Sequence, residues 1–403
     1  METNNKPAGN IGPNEKILAS VLVLGHAVKH FFVAGFFIIL PQIQTHYGLS
    51  NAGAGMISTI RNAGSGLGNL SAGYMADRFN NKWKEMLSVS IVMVGLFHFL
   101  IGWGNSSTWL LVNTTIAGVA ISFWHPPAIA ALAERFPQRR GFAISLHGTG
   151  GSIGEALGPI LVGALLTVFL WRTVLQIGII PALITGAITW ITLKNLQGRT
   201  QLDLSLMGYL RSLWQMLRGR GLITTLIVTG GFSASQGIVM TFLPIYLNID
   251  LGFTPLLTAV FVSGSQVVGI VSQPLLGYLS DKYSRKSVLV PSLAILGLLT
   301  IAVPFAGSGA LLLVTVLLMG SVSYSLMSIL LAAGVDQAQG DMPATTISLV
   351  FSSGVIFSAL SPFLAGLLAD STGLSYVFFL AAAIAIALSA FTFTLKWGKV
   401  NNK

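Results

Sequence analysis

Three charged side chains lie inside long apolar stretches of this chain: Lys29, Arg61 and Glu155. Each sits near the middle of a run long enough to cross a bilayer, where an ionisable group is expensive and marks function by default. Four histidines, His26, His30, His125 and His147, lie in the same half, and the other half has no histidine at all. On a helix His26 and His30 are four apart and Lys29 is three from His26, so the three share a face. A lysine and an arginine so placed can hold an anion, the arginine by two parallel bonds if the group is a carboxylate, phosphate or phosphonate. Glu155 is the candidate proton carrier, and imidazoles titrate close enough to neutrality to share a relay. With every histidine neutral, the three charges leave about one positive charge unbalanced, which an anionic ligand would complete.

Other assignments compete for the same residues. Glu155 can be a structural counter-ion to Lys29 or Arg61, and His125, beside Pro126 and Pro127, can serve carbonyls that the prolines free. His26 and His30 have the spacing of a zinc pair, with His125 or His147 as a third ligand. Against this reading as a membrane metalloenzyme stands the cationic neighbourhood, which repels a metal, so no metal, cofactor or enzymatic activity is expected. In the second half, Gln236 is expected to contact substrate as a neutral liner, with Gln266, Gln273 and Tyr324 in similar positions.

The elements that must position these groups are transmembrane helices. Of 403 residues 53% are hydrophobic and 8% charged, against roughly a quarter charged in soluble domains. Apolar windows predict twelve spans near residues 17–41, 50–76, 86–104, 107–133, 141–169, 173–193, 221–247, 254–280, 287–306, 308–335, 344–369 and 373–395. The predicted organisation is a tail over 1–16, a six-helix bundle over 17–193, a linker over 194–220, a second bundle over 221–395 and a tail over 396–403. With both termini placed in the cytoplasm, 19 of the 22 Lys and Arg residues fall on the inner side and only Arg172 falls outside. That asymmetry sets the orientation. It also accounts for the net charge of +10 through lipid headgroups, leaving no role for nucleic acid. Because the chain has no cysteine, disulfides and thiolate chemistry are excluded.

The two halves repeat. Gly73-Tyr74-Met75-Ala76-Asp77-Arg78-Phe79 recurs as Gly277-Tyr278-Leu279-Ser280-Asp281-Lys282-Tyr283 at an offset of 204. Leu40-Pro41 and Leu243-Pro244 are 203 apart, as are Gly158-Pro159 through Gly163 and Ser361-Pro362 through Gly366. Two parallel six-helix repeats around a central site are the plan of alternating-access carriers. Within the fifth span, the stretch Gly141 to Gly163 is rich in glycine; Gly150, Gly154 and Gly158 fall on one face and admit a close neighbour, and Pro159 invites a kink.

On these residues the chain resembles the major facilitator superfamily over nearly its whole length. The superfamily loop signature is approximated by Gly73, Asp77, Arg78 and Lys82 and again by Gly277, Asp281, Lys282, Arg285 and Lys286. The resemblance implies that Asp77 and Arg78 help hold the cytoplasmic side shut. Gly154-x-x-x-Gly158-Pro159 looks like the antiporter motif of proton-coupled exporters. Phe123-Trp124-His125-Pro126, Arg140-Gly141 and Gly25-His26 resemble the fosmidomycin-resistance branch. One departure is that Thr114 stands where drug exporters usually place an arginine in span four. The expectation is therefore a monomeric, multi-pass carrier of a bacterial inner membrane, foremost a proton-coupled antiporter exporting a small anionic or amphipathic compound. Uptake or exchange of an anion is the alternative.

Overall fold

The computed structural model describes residues 13–136, 139–194, 196, 207–208, 211, 214–215, 217–337 and 343–395. The expected tails and linker fall largely outside them. The described residues form twelve helical spans. The first six are α1 (Pro13–Tyr47), α2 (Asn51–Arg78), α3 (Trp83–Trp103), α4 (Ser107–Arg135), α5 (Arg140–Leu165) and α6 (Trp171–Thr192). The second six are α7 (Arg220–Ile245), α8 (Pro255–Lys282), α9 (Arg285–Ala302), α10 (Ala310–Gln337), α11 (Pro343–Thr372) and α12 (Tyr376–Thr394). By length and composition alone, ten helices are apolar enough to cross a membrane, and α2 and α5 are not among them. These two carry Arg61 and Glu155 and are rich in glycine, so partner helices must supply what their own composition lacks.

Several boundaries differ from the sequence expectation for local reasons. Span one does not stop at Pro41, because a proline removes a single donor; α1 runs on to Tyr47 and ends at Gly48, whose φ of +58° suits a residue without a Cβ. Gly252, with φ +68°, does the same after a π turn, Tyr246–Asp250, that prolongs α7. Span four is two helices, Ser107–Ser122 and His125–Arg135, since Pro126 and Pro127 cannot donate to the preceding turn and so begin a new segment. Span six divides at Gly178.

Packing repeats with the sequence. In the first half α1 packs on α5, α2 on α4 and α3 on α6; in the second half α7 packs on α11, α8 on α10 and α9 on α12. Two further interfaces, α2 with α11 and α5 with α8, join the halves and are exchanged by the same pseudo-twofold relation. Glycines permit them. A Cβ on Gly163 would lie 2.5 Å from the Cβ of Ala259 and one on Gly366 would strike Asn51 and Ala52, so matched glycines meet matched helix starts.

These junctions lie toward the far face, where α1 ends. Asp370 of α11 accepts bonds from the backbone N–H groups of Asn51 (2.7 Å) and Ala52 (3.0 Å), capping α2 from the opposite half. Asn62 donates to the Ser358 carbonyl at 3.3 Å further along the seam. Toward the near face, where α1 begins, Gly73, Gly148 and Gly277 face open space. Among the described residues, the contacts named here between the halves thus lie at the far side and along the seam.

Candidate functional site

The site starts from how closely α5 approaches α1. Cβ atoms placed on Gly150, Gly154 and Gly158 would run into the carbonyl oxygens of Val23, Ala27 and Phe31, so each four-residue step on α5 meets a four-residue step on α1. Any side chain there would push the helices apart. Gly151 is filled by the His26 ring, whose Cε1 would be 2.7 Å from an added Cβ. This contact brings His147 and Glu155 of α5 against His26 and His30 of α1. Pro159 lies within uninterrupted helix, one residue beyond the last of these glycines.

The break in α4 delivers the third element. Trp124, fully buried, occupies the space that Gly25 leaves on α1, and the next residue, His125, opens the second segment of α4 with its ring toward Lys29. The Lys29 ammonium donates to His125 Nε2. An ammonium can only donate, so that nitrogen holds a lone pair and His125 is neutral when Lys29 is charged.

Two more pairs lie alongside. His26 Nδ1 is 2.6 Å from the His147 carbonyl oxygen, so it carries a proton, and in the neutral ring Nε2 is left a lone-pair acceptor. The His26 and His147 rings are stacked, 3.9 Å apart and 6° from parallel. His30 Nδ1 stands 2.8 Å from Glu155 Oε1. The Lys29 residue is only 2% exposed, whereas the Glu155 side chain keeps 30% of its surface.

Arg61 stands apart from these pairs. Its Nη1 and Nη2 donate to the carbonyls of Val33 (3.2 Å) and Phe32 (3.3 Å), and its guanidinium lies 4.7 Å from the Phe36 ring and 5.4 Å from the Phe37 ring. Its carbonyl in turn lies where a Cβ on Gly118 would sit, tightening α2 on α4. Among the described residues no carboxylate is in ion-pair range of Arg61. His98 is buried beside Phe32 and Phe36 and bonded to Val94 O at 2.7 Å.

His26, His125 and His147 have ring nitrogens within 4.8 Å of one another, a separation a metal could bridge. Direction argues otherwise. Lone pairs lie in the ring plane, so parallel stacked rings do not aim at one point, and Lys29 already occupies His125 Nε2.

The loop-signature residues lie at the near face. Asp281 and Asp336 both accept from Arg285, the latter at 2.8 Å, which ties α8, α9 and α10 together. Asp77 has no basic partner in range among the described side chains, and burial pushes its carboxyl up. Arg78 lies 5.9 Å from the Phe79 ring. Gln236 lines a cavity in the second half with Tyr324, and Phe37 reaches that cavity from α1. Gln273 instead donates to Ser328. Two features were out of sequence reach. Asp370 gave no signal beyond an acid at a span end, and the helix break that aims His125 shows only as Pro126-Pro127.

Symmetry exposes how one-sided the site is. At the repeat offset of 203, the counterparts of Lys29, His30, His147 and Glu155 are Phe232, Ser233, Val350 and Ser358. The folds repeat while the charges do not.

Comparison with known proteins agrees with this architecture. The chain is 27% identical over 243 residues to a probable 4-methylmuconolactone transporter of Cupriavidus pinatubonensis, covering 59% of this chain and 56% of that one. It is 24% identical over 149 residues to the fosmidomycin resistance protein of Escherichia coli, covering 37% and 36%. The chain thus spans about half or less of the length of these relatives. A solved bacterial homolog of the human lysosomal transporter Spinster, inward-facing and occupied, superposes with a TM-score of 0.82 at 15% identity, over 95% of this chain and 97% of that one. The family model for the Major Facilitator Superfamily matches residues 22–348 and 232–402, and with paired bundles of six helices around a one-sided polar core the chain belongs to that superfamily of membrane transporters.

Proposed function

We propose that this transporter carries a small amphipathic organic anion coupled to protons, with Lys29 as the anion-binding group and Glu155 as the proton site. The observation that carries this reading is the packing of the Glu155–His30 pair beside the Lys29–His125 pair on one turn of α1. On this reading the near face is cytoplasmic, as the distribution of Lys and Arg favours, and the structure corresponds to the inward-open state. Alternation follows when the far-face seam opens and the near face closes.

Electrostatics decides the sense of coupling. A substrate carboxylate that bonds Lys29 brings a negative charge close to Glu155, and two neighbouring carboxylates cannot both stay ionised in a water-poor site. Anion binding therefore favours proton uptake on Glu155, and proton uptake favours the anion, so the two travel together. Release to the cytoplasm reverses both steps, since the exposed edge of Glu155 loses its proton to water. Arg61 braces α1 through the Phe32 and Val33 carbonyls and keeps the local potential positive. Asp77 awaits a basic partner that only the near-closed state would bring. The relatives matched include transporters named for gallate and benzoate, which fits an organic anion as substrate.

Export by proton antiport is the second reading, favoured by the match to a resistance protein. It requires that the substrate offer Glu155 a positive charge or hydrogen-bond donor that displaces its proton rather than attracting one. Proteoliposomes with an internal pH dye separate the two. Under the leading reading, adding an aromatic carboxylate outside acidifies the lumen, and Glu155→Gln abolishes that signal while anion binding persists. Alkalinisation would favour antiport instead; an unaltered signal in Glu155→Gln would remove Glu155 from coupling altogether.

A further inference from the structure

The cavity in the second half lies next to the charged cluster without sharing its charge. Phe37 of α1 lines it together with Tyr324, and the Arg61 guanidinium lies 5.4 Å from the Phe37 ring. Most of the wall is apolar, including Val239, Met240, Leu243, Val262 and Met319. No Lys, Arg, His, Asp or Glu is among its lining residues.

Its polar groups divide into spent and free. Ser235 donates to the Ala381 carbonyl and Ser265 to the Val262 carbonyl, both at 2.8 Å. The Tyr324 hydroxyl lies 3.6 Å from the Met240 sulfur. Gln236 and Ser323 remain, an amide and a hydroxyl on the wall with no intramolecular hydrogen bond among the described residues. An amide offers two donors and an acceptor, and a hydroxyl offers one donor and accepts as well.

We infer that the substrate is a monoanion that carries, at the end away from its charged group, a neutral hydrogen-bonding substituent received by Gln236 and Ser323. This rests on the reading of Lys29 as the anion-binding group. The apolar wall of the cavity suits a ring or short hydrocarbon body. A wholly apolar far end would leave the amide unpaired once water is expelled, and a site built to bond a hydroxyl discriminates against the analogue that lacks it. A second carboxylate would fare worse, because it would enter an apolar wall offering only neutral donors. The repeat shows why this end is neutral: the counterparts of Lys29 and Glu155 are Phe232 and Ser358, so charge selection is confined to the first half.

Calorimetric titration of the full chain in lipid nanodiscs at neutral pH tests this with benzoate, 4-hydroxybenzoate and terephthalate. The wild type should bind 4-hydroxybenzoate about tenfold more tightly than benzoate, as one hydrogen bond implies, and terephthalate more weakly than either. In Gln236→Leu or Ser323→Ala the preference for the hydroxylated acid should collapse toward unity, a ratio that a general loss of folded protein would not change. Equal affinity of wild type for benzoate and 4-hydroxybenzoate, an unchanged ratio in both variants, or terephthalate binding as tightly as 4-hydroxybenzoate would each overturn the inference. Unchanged affinity in Lys29→Met, or no binding of any of the three by wild type, would instead overturn the anion-site reading and the inference with it.

Discussion

The far-face latch at Asp370 gives the most direct access to the conformational cycle. Its carboxylate accepts two backbone bonds, from Asn51 at 2.7 Å and Ala52 at 3.0 Å, at the start of a 28-residue helix in the other half. Ser50 Oγ accepts only from the Gly53 N–H, at 3.2 Å, so without Asp370 the Asn51 and Ala52 donors turn to water. Loss of an N-cap costs about 0.5–2 kcal/mol, and an anion at a helix N-terminus adds about 0.3–1 kcal/mol where exposed. Asp370 is exposed, so screening by water places the sum near 1–1.5 kcal/mol. Because the contact spans the halves, it stabilises only the state in which the far face is closed. Asp370→Ala should therefore lower the ratio of far-closed to far-open molecules by about 5- to 10-fold. The chain lacks cysteine, so spin labels at Ser107→Cys and Ser308→Cys, both exposed on the far side, report on it without background. Double electron–electron resonance should show growth of a longer-distance population in Asp370→Ala and less in Asp370→Asn, which keeps one acceptor oxygen. Identical distance distributions in a folded Asp370→Ala protein would refute the latch.

The glycine ladder makes a sharper claim about packing than about transport. Gly154→Ala would force a Cβ onto the Ala27 carbonyl and should cost about 1–3 kcal/mol in a detergent melt, whereas Gly148→Ala, whose Cβ meets nothing within 4 Å, should be near neutral; equal losses would mean that the α1–α5 approach is not what the glycine serves. Lys29→Met should weaken carboxylate binding by about 10- to 100-fold, on the scale of a charge-assisted bond, and retained affinity in a titration would pass the anion to another group. Asp77 contributes a pH term. Its carboxyl is raised by burial, so the folded state holds the proton more tightly than the unfolded chain does. Stability of this state should then rise as pH falls through the raised value and level off below the ordinary carboxylate value. Asp77→Asn should flatten that segment of a melting-temperature profile, and an unaltered slope would assign it elsewhere.

How much of the site was legible depended on the range of the interactions. His26, Lys29 and His30 could be placed on one face because three- and four-residue spacing fixes azimuth on any helix. Glu155 stood out because a carboxylate within an apolar span has few other uses. Which charge meets which could not be read, since a helix of this length permits any axial offset against its neighbour. That offset is set where Gly150, Gly154 and Gly158 meet the Val23, Ala27 and Phe31 carbonyls, and it pairs Glu155 with His30 rather than with Lys29 or Arg61. Arg61, grouped with Lys29 by charge alone, turns onto α1 carbonyls and phenylalanine rings, contacts that depend on the angle between α1 and α2.

By itself, then, the sequence determined the twelve membrane helices, the duplicated halves and the confinement of charge to one of them. These follow from hydropathy, spacing and residue type, which need no knowledge of distant contacts. Only the tertiary structure decided the pairs Lys29–His125, His26–His147 and His30–Glu155, the cavity shared by Phe37 and Gln236, and the Asp370 latch. Each joins residues separated by roughly 100 to more than 300 positions, and the small residues that set how closely helices approach decide such contacts.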